Sequence, residues 1–385
     1  MQTPFMFGKI ATGNEFTNRE SEAARLVGNF NAKTNTILIS PRRWGKSSLV
    51  KKSAEMAAKG NQKLHFCFID LFNVRNEEQF YQSLAQEVIK ASTSKWEERI
   101  AATKKFMAQF IPKITYGMDI QTEFEIGLDW KEVQKLPDQI IDLPEKIAVE
   151  KKIHLVVCVD EFQNIAEFNE PLAFQKKLRA HWQGHTHVTY CLYGSKRHMM
   201  MEVFASPSMP FYKFGDLLFL EKIALEKWVS FITQRFSETG KEISETNAQL
   251  IAELAERHPY YVQQLAQITW MRSSKKCEEK DVREAHEQLV RQLSLLFQNM
   301  TDSLTSTQVN FLKAVIEGAP QLSAKETLSN YRLGTSANVL RIKEALVNKE
   351  VLDVQGSQIE FLDPIYKHWL KDVYFNARGT GATSF

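Results

Sequence analysis

Cysteine is scarce in this chain, which has four in 385 residues. No two of them have CxxC spacing, and this excludes the simple zinc-site and thioredoxin-like patterns. Long hydrophobic runs are also absent, since no stretch reaches about 18 uninterrupted apolar residues. The beginning of the chain, MQTPFMFGKIATGNEF, lacks a basic segment followed by a long apolar one. These absences predict a soluble, reduced, cytoplasmic protein with no membrane partner.

A strong charge of one sign is lacking as well. Lys and Arg number 49 against 46 Asp and Glu, so the net charge is +3 and does not demand nucleic acid as a partner. The chain does have an ordinary globular composition, with 43% apolar and 25% charged residues, which excludes disordered and fibrous architectures. At about 150 residues per domain, the length predicts two or three domains.

The first half of the chain alternates apolar runs with amphipathic segments. Such runs, separated by helices, predict an α/β fold with a parallel sheet covered on both faces. An alternating pattern within about 110–130 predicts an inserted antiparallel β-ribbon. The predicted strands are 36–39, 64–69, 153–159 and 187–193, and the predicted helices include 47–59 and 77–91.

In the second half of the chain, apolar residues recur every three or four positions, and this pattern predicts mainly helices. Three helices followed by two short strands around Gly356 predict a winged helix-turn-helix near the C-terminus. The predicted domains are an α/β core at 1–219, a helical lid at 220–299, the winged helix at 300–375 and a flexible tail at 376–385.

The segment ISPRRWGKSSL at 39–49 lies between a predicted strand and a predicted helix. It matches G-x-x-x-x-G-K-[ST], except that Ser40 replaces the first glycine. Backbone N–H groups and a helix N-terminus in this setting suit a phosphate. Gly45 admits close approach of the backbone, Lys46 would neutralise the β- and γ-phosphates, and Ser47 would bind Mg²⁺. The predicted nucleotide-binding residues of this loop are Ser40, Pro41, Arg42, Arg43, Trp44, Gly45, Lys46, Ser47 and Ser48.

A second motif follows a later apolar strand, VVCV, which ends in Asp160 and Glu161. The carboxyl ends of parallel strands form the edge where ligands bind. Asp160 is expected to hold Mg²⁺, directly or through water, and Glu161 to polarise the attacking water. The two motifs together predict an ATP-binding protein that uses Mg²⁺.

With these residues in place, the sequence resembles the archaeal-type ATPase family, P-loop ATPases of the AAA+/STAND group. The resemblance rests on the loop PRRxGKSSL, on the strand ending DEFQ and on FTNRE at 16–20. It implies that Arg19 lies near the adenine and that Ser195 is a sensor near the γ-phosphate. It also places Pro259 in a lid motif that contacts nucleotide, although Arg257 stands where the family usually has glycine.

DNA is a weaker prediction as a partner. The candidate recognition helix at 336–348 offers Asn338, Arg341 and Lys343, with Lys349 beside it. However, residues 301–370 contain seven Lys and Arg against eight Asp and Glu, whereas phosphate contacts supply most non-specific DNA affinity. An unidentified protein partner is therefore preferred.

The function predicted from the sequence is an ATP-dependent switch. Binding and hydrolysis of MgATP, with Lys46, Glu161 and Ser195 in the catalytic set, would move the lid and the winged helix. Turnover is expected to be slow without a partner, since no arginine finger is evident. Two alternatives stay open: an ATP-regulated DNA-binding protein, and an interaction protein whose nucleotide site is degenerate at Ser40.

Overall fold

The computed structural model describes residues 3–9, 18–93, 114–117, 125–128 and 137–376. They form two compact units. The core unit is Arg19–Glu221, and the helical unit combines Met1–Asn18 with Lys222–Phe385. The predicted flexible tail, apart from Asn376, lies outside the described residues.

The core unit alternates helices and strands along the chain. Its helices are α1 Glu20–Asn31, α2 Lys46–Gly60, α3 Glu77–Ser92, α4 Pro137–Ile141, α5 Leu143–Lys151, α6 Pro171–Trp182 and α7 Arg197–Ala205. Its strands are β1 Thr36–Ile39, β2 Leu64–Asp70, β3 Ile114–Gly117, β4 Glu125–Leu128, β5 His154–Asp160, β6 Val188–Gly194 and β7 Asp216–Phe219.

Five of these strands form one parallel sheet in the order β2-β5-β6-β1-β7. Every residue of β1 and β6 is buried, and this explains why their sequences are continuous apolar runs rather than alternating ones. The predicted α/β fold is confirmed. The predicted ribbon is also present, because β3 and β4 pair antiparallel.

Strand β7 is absent from the sequence prediction. It has four residues and pairs in parallel with β1 at one edge of the sheet. Asp216, its first residue, accepts hydrogen bonds from Arg25 Nε at 2.8 Å and from Asn29 Nδ2 at 2.8 Å, both on α1. A tertiary contact therefore holds the start of this strand, which is too short for a clear periodicity.

Besides a π-helix at Leu370–Phe375, the helical unit contains the remaining α-helices and strands. They are α8 Leu225–Glu238, α9 Glu245–Leu254, α10 Pro259–Arg272, α11 Glu279–Asp302, α12 Ser306–Ile316, α13 Lys325–Asn330, α14 Ser336–Asn348, β8 Leu352–Gln355, β9 Gln358–Phe361 and α15 Pro364–Trp369. Strands β8 and β9 pair antiparallel around Gly356, whose φ is 60°. The order from α12 to β9 is the predicted winged helix-turn-helix.

The N-terminal segment belongs to the helical unit and not, as the sequence suggested, to the core. Phe5 is buried and its ring contacts those of Phe231 and Phe236. The backbone N–H of Met6 donates to Gln263 Oε1 at 3.1 Å. The assignment therefore rests on the burial of Phe5 against residues that lie more than two hundred positions later in the chain. The predicted boundary near 299 stays a prediction, and α11 runs through it.

Candidate nucleotide site

The loop between β1 and α2 has a backbone suited to an anion. Gly45 precedes α2 with φ 87°, a left-handed conformation that favours glycine, and Arg43 is also left-handed with φ 65°. Ser40 is buried and lies outside the left-handed region, so this position does not require the glycine of the common motif. The first turn of α2 contains no acidic residue, and no side chain caps it. The N-terminus of α2 therefore presents a positive dipole end.

Lys46 joins the loop to the carboxyl end of β5. Its Nζ lies 2.8 Å from Glu161 Oε1 and 3.2 Å from Asp160 Oδ1. Ser47 Oγ donates to Asp160 Oδ2 at 2.6 Å. The sheet order places β5, β6 and β1 side by side, so their carboxyl ends meet at one edge. The structure thus brings together four residues that the sequence selected.

The cluster is largely buried and places one ammonium, that of Lys46, beside two carboxylates. Burial by itself would lower the pKa of Lys46, but Asp160 and Glu161 outweigh that effect and raise it. Burial raises the pKa of Asp160, and Lys46 and Ser47 offset only part of the increase. Burial also acts to raise the pKa of Glu161, but Lys46, Gln163 and Ser195 lower it on balance. Lys46 stays cationic and Glu161 stays anionic at neutral pH.

Ser195 lies directly after β6 and contacts Glu161. Its Oγ donates to Glu161 Oε2 at 2.8 Å, and Arg42 Nε approaches the same Oγ at 3.5 Å. Gln163 Nε2 also donates to Glu161 Oε2, at 2.6 Å. Gln163 was not among the predicted site residues. The available signal was its position two residues after Glu161 in the sequence DEFQ.

The remaining loop residues differ in how far they are exposed. Ser48 is buried in the first turn of α2, and Arg42 and Arg43 are exposed. Pro41 and Trp44 are half-buried. Their contacts with nucleotide remain predictions.

Arg19 immediately precedes α1 and is 4% exposed. Its Nη1 donates to the backbone oxygen of Glu221 at 2.7 Å and to Glu22 Oε1 at 2.8 Å. Its Nη2 is buried and has no hydrogen-bond partner among the described residues. Phe16, which the resemblance pairs with Arg19, lies outside the described residues. The placement of Arg19 near adenine remains a prediction.

Pro259 belongs to the helical unit, where it is the first residue of α10. Proline suits this position because the first N–H of a helix has no partner in the helix. Arg257, two residues earlier, has φ 59°. Glycine adopts this left-handed backbone without strain, which is consistent with the glycine that the resemblance implies at this position. The contact of Pro259 with nucleotide stays a prediction.

Among the described residues, no group of three or more His, Cys, Asp or Glu side chains is arranged to hold a metal ion. None of the described helices is both long enough and apolar enough to cross a membrane. The predicted magnesium position therefore depends on the pair Ser47 and Asp160.

Known structures share this arrangement of elements. A Walker-type ATPase of Pyrococcus abyssi matches with a TM-score of 0.65 and 16% sequence identity, covering 96% of this chain and all of that chain. The chain has the P-loop ATPase fold. The ORC2 protein of Aeropyrum pernix, solved in ADPNP–ADP complexes, matches with a TM-score of 0.56 and 13% identity, covering 98% of this chain and all of that chain.

The P-loop ATPase fold is followed by a second recognised domain. Residues 295–372 match the family model described as a probable winged helix domain. This confirms the winged helix predicted from the sequence. A search of curated proteins finds no match for the chain.

Proposed function

We propose that the protein binds MgATP and hydrolyses it slowly. The observation that carries the proposal is the position of Lys46, whose ammonium lies between Asp160 and Glu161 at the mouth of the loop. The loop backbone and the α2 N-terminus favour an anion at the same place. Phosphate oxygens would compete for Lys46 and release Glu161 from its ion pair.

The donor set fits Mg²⁺. Ser47 Oγ and Asp160 Oδ2 lie 2.6 Å apart, and a hydroxyl with a carboxylate is the kind of oxygen pair that this hard cation uses beside phosphates. When bound, Mg²⁺ supplies positive charge to the β- and γ-phosphates. Ser47 and Asp160 would hold the ion, and Lys46 would bind the phosphates.

Glu161 is the residue that we propose to polarise the attacking water. Its anionic carboxylate can accept a hydrogen bond from an attacking water once Lys46 turns to phosphate. Ser195 would keep its hydrogen bond to Glu161 Oε2 and thereby fix the direction of the carboxylate. We further propose the predicted switch, in which the state of the nucleotide is transmitted to the lid and the winged helix.

The experiment measures ATP affinity by calorimetry and phosphate release in steady state, with Mg²⁺ present. Lys46→Met should abolish binding, and Glu161→Gln should bind ATP but lose about 100-fold or more in kcat. Lys59→Met changes an exposed lysine in the last turn of the same helix and should behave as wild type. Absence of ATP binding in the wild type, or full turnover in Glu161→Gln, would overturn the proposal.

A further inference from the structure

Gln163 is a buried amide held against Glu161. It is 1% exposed and lies in a short 3-10 helix, Phe162–Glu167, that begins immediately after Glu161. Glu161 itself has φ 52°, so the chain leaves β5 through a left-handed turn. This local path sets the two side chains next to each other, with Gln163 Nε2 only 2.6 Å from Glu161 Oε2.

The orientation of this amide follows from its partner. A carboxylate only accepts hydrogen bonds, so the atom of Gln163 that faces Glu161 is the NH₂ group. The amide oxygen Oε1 must then point away, and it is buried without a hydrogen-bond partner among the described residues. Leaving a buried acceptor unpaired costs about 1–3 kcal/mol. The hydrogen bond to the charged Glu161 is worth about 1.5–3 kcal/mol, so the two effects nearly cancel and the arrangement adds little to fold stability.

Gly194, the last residue of β6, makes room for Gln163. A Cβ atom on Gly194 would lie 1.9 Å from Gln163 Oε1 and 2.8 Å from Met200 Sδ. The end of the Met200 side chain can move aside, but the Gln163 amide is held between Gly194 and Glu161. Any side chain at position 194 would push Gln163 out of its present place.

The two oxygens of Glu161 have different partners. Oε2 accepts from Gln163 and from Ser195, whereas Oε1 accepts from Lys46. If Lys46 turns to a phosphate, as the proposed function requires, Oε1 loses its donor while Oε2 keeps Gln163 Nε2, the Ser195 hydroxyl and, at 3.4 Å, the Ser195 backbone N–H. The carboxylate would then stay fixed at one oxygen and present the other to water.

We propose that Gln163 is a positioning residue for ATP hydrolysis, and that Gly194 is required because it admits the Gln163 side chain. The inference rests on the proposed role of Glu161. Gln163 touches neither the water nor the phosphate in this scheme. It acts by holding Glu161 Oε2, so its loss should affect turnover and leave ATP binding in place.

The experiment uses the full chain with MgATP and determines kcat, KM and the Kd for ATP. Gln163→Met fills a similar volume without a donor and should lower kcat about tenfold or more, with KM and Kd changed less than about twofold. Gln163→Asn, whose amide is too short to reach Glu161, should give the same loss. Gln175→Met is the matched control because Gln175, on α6, is likewise buried and its Oε1 has no hydrogen-bond partner within the described ranges. It should keep kcat.

A double-mutant cycle tests the link to Gly194. Gly194→Ala alone should lower kcat as Gln163→Met does. In a Gln163→Ala background the steric conflict is gone, so adding Gly194→Ala should change kcat less than about twofold. Additive losses, or an unchanged kcat in Gln163→Met, would overturn the inference while wild-type turnover and the Glu161→Gln loss still supported the proposed function. Absence of wild-type turnover would overturn both.

Discussion

Lys46 Nζ lies 2.8 Å from Glu161 Oε1, so the lysine of the phosphate loop is bonded to the carboxylate that we assign to the attacking water. Both side chains are largely buried, with 11% and 13% exposure. The ion pair occupies the groups that ATP binding and hydrolysis would use. A ligand that takes Lys46 would therefore also change the partners of Glu161.

Removing the charge of Lys46 should destabilise the protein in the absence of nucleotide. Lys46→Met leaves Asp160 and Glu161 as two buried carboxylates without their cation, and we expect a loss of about 3 kcal/mol in the free energy of unfolding. Urea unfolding at pH 7 measures it, with Lys59→Met as the control. A loss equal to that of the control would show that the pair contributes little to stability.

Ser47→Ala should weaken the coupling between Mg²⁺ and nucleotide. The Mg²⁺ concentration needed for half-maximal ATP binding should rise about tenfold or more, because one of two proposed oxygen ligands is gone. Calorimetric titration at several Mg²⁺ concentrations gives this value without depending on turnover. Ser53→Ala should not shift it, because Ser53 is a buried serine on the same helix whose Oγ has no hydrogen-bond partner in the described part of the chain. Equal Mg²⁺ requirements in both variants would count against the magnesium assignment.

Gly215→Ala should destabilise the core unit. A Cβ there would lie 2.3 Å from the backbone oxygen of Asn35, and strands β1 and β7 begin at the following residues, so neither backbone can move away easily. We expect a cost of about 2–3 kcal/mol. Gly28→Ala, in helix α1, is the control, since no described residue lies within 4 Å of an added Cβ there, and it should gain about 0.5–1 kcal/mol. Thermal unfolding measures the stability of both variants. Losses of equal size in the two would refute the steric argument.

His286 should make the protein sensitive to acid. Burial, together with the nearby His368, lowers the pKa of His286 to about 4, against an ordinary value near 6.5. Between these values the unfolded chain binds a proton that the folded protein does not, so stability is lost as the pH falls through this window.

His286→Phe removes the titrating group and its Nε2, for which the described residues offer no hydrogen-bond partner, while keeping an aromatic ring. Wild type should lose on the order of 2–3 kcal/mol more than the variant between pH 7 and pH 4.5. Urea unfolding at the two pH values checks this difference. If the free energy of unfolding fell equally in both proteins, the acid sensitivity would come from groups other than His286.

The winged helix should not bind DNA tightly at physiological salt. The side chain of Asn338 donates to the backbone oxygen of Leu333 at 2.7 Å, and Lys349 Nζ donates to that of Ser303 at 2.7 Å, so two of the predicted polar contacts are already used. Leu340 is 59% exposed on the same helix. With a near-neutral region, we expect a Kd weaker than about 10 μM for duplex DNA.

Fluorescence anisotropy over a range of salt concentrations measures the DNA affinity, with the double variant Arg341→Ala/Lys343→Ala for comparison. The expected result is weak binding that the variant changes little. Salt-dependent micromolar binding that disappears in the variant would favour the alternative of an ATP-regulated DNA-binding protein. A protein partner for this domain remains a prediction.

Local pattern predicted most of the fold and part of the site. The loop at 40–48 and the pair Asp160 and Glu161 could be predicted because each follows an apolar strand, and the carboxyl ends of parallel strands lie at one edge of the sheet. Strand β7 was not readable, since its four residues depend on pairing with β1 and on contacts of Asp216 with α1. The N-terminal segment was misplaced for a similar reason: its partners lie more than two hundred residues away.

The sequence by itself determined the parallel α/β core, the phosphate loop and the winged helix, because strand and helix periodicity and the residues flanking them are local properties. Only the tertiary structure decided that Lys46 and Ser195 are partners of Glu161. They come from two other segments, and the sheet order brings their side-chain donors within 3 Å of the carboxylate, which Gln163 contacts from two residues along the chain. The need for glycine at position 194 also follows only from the tertiary structure. A Cβ atom there would meet Gln163 only because β6 lies beside β5, and the sequence does not show this contact.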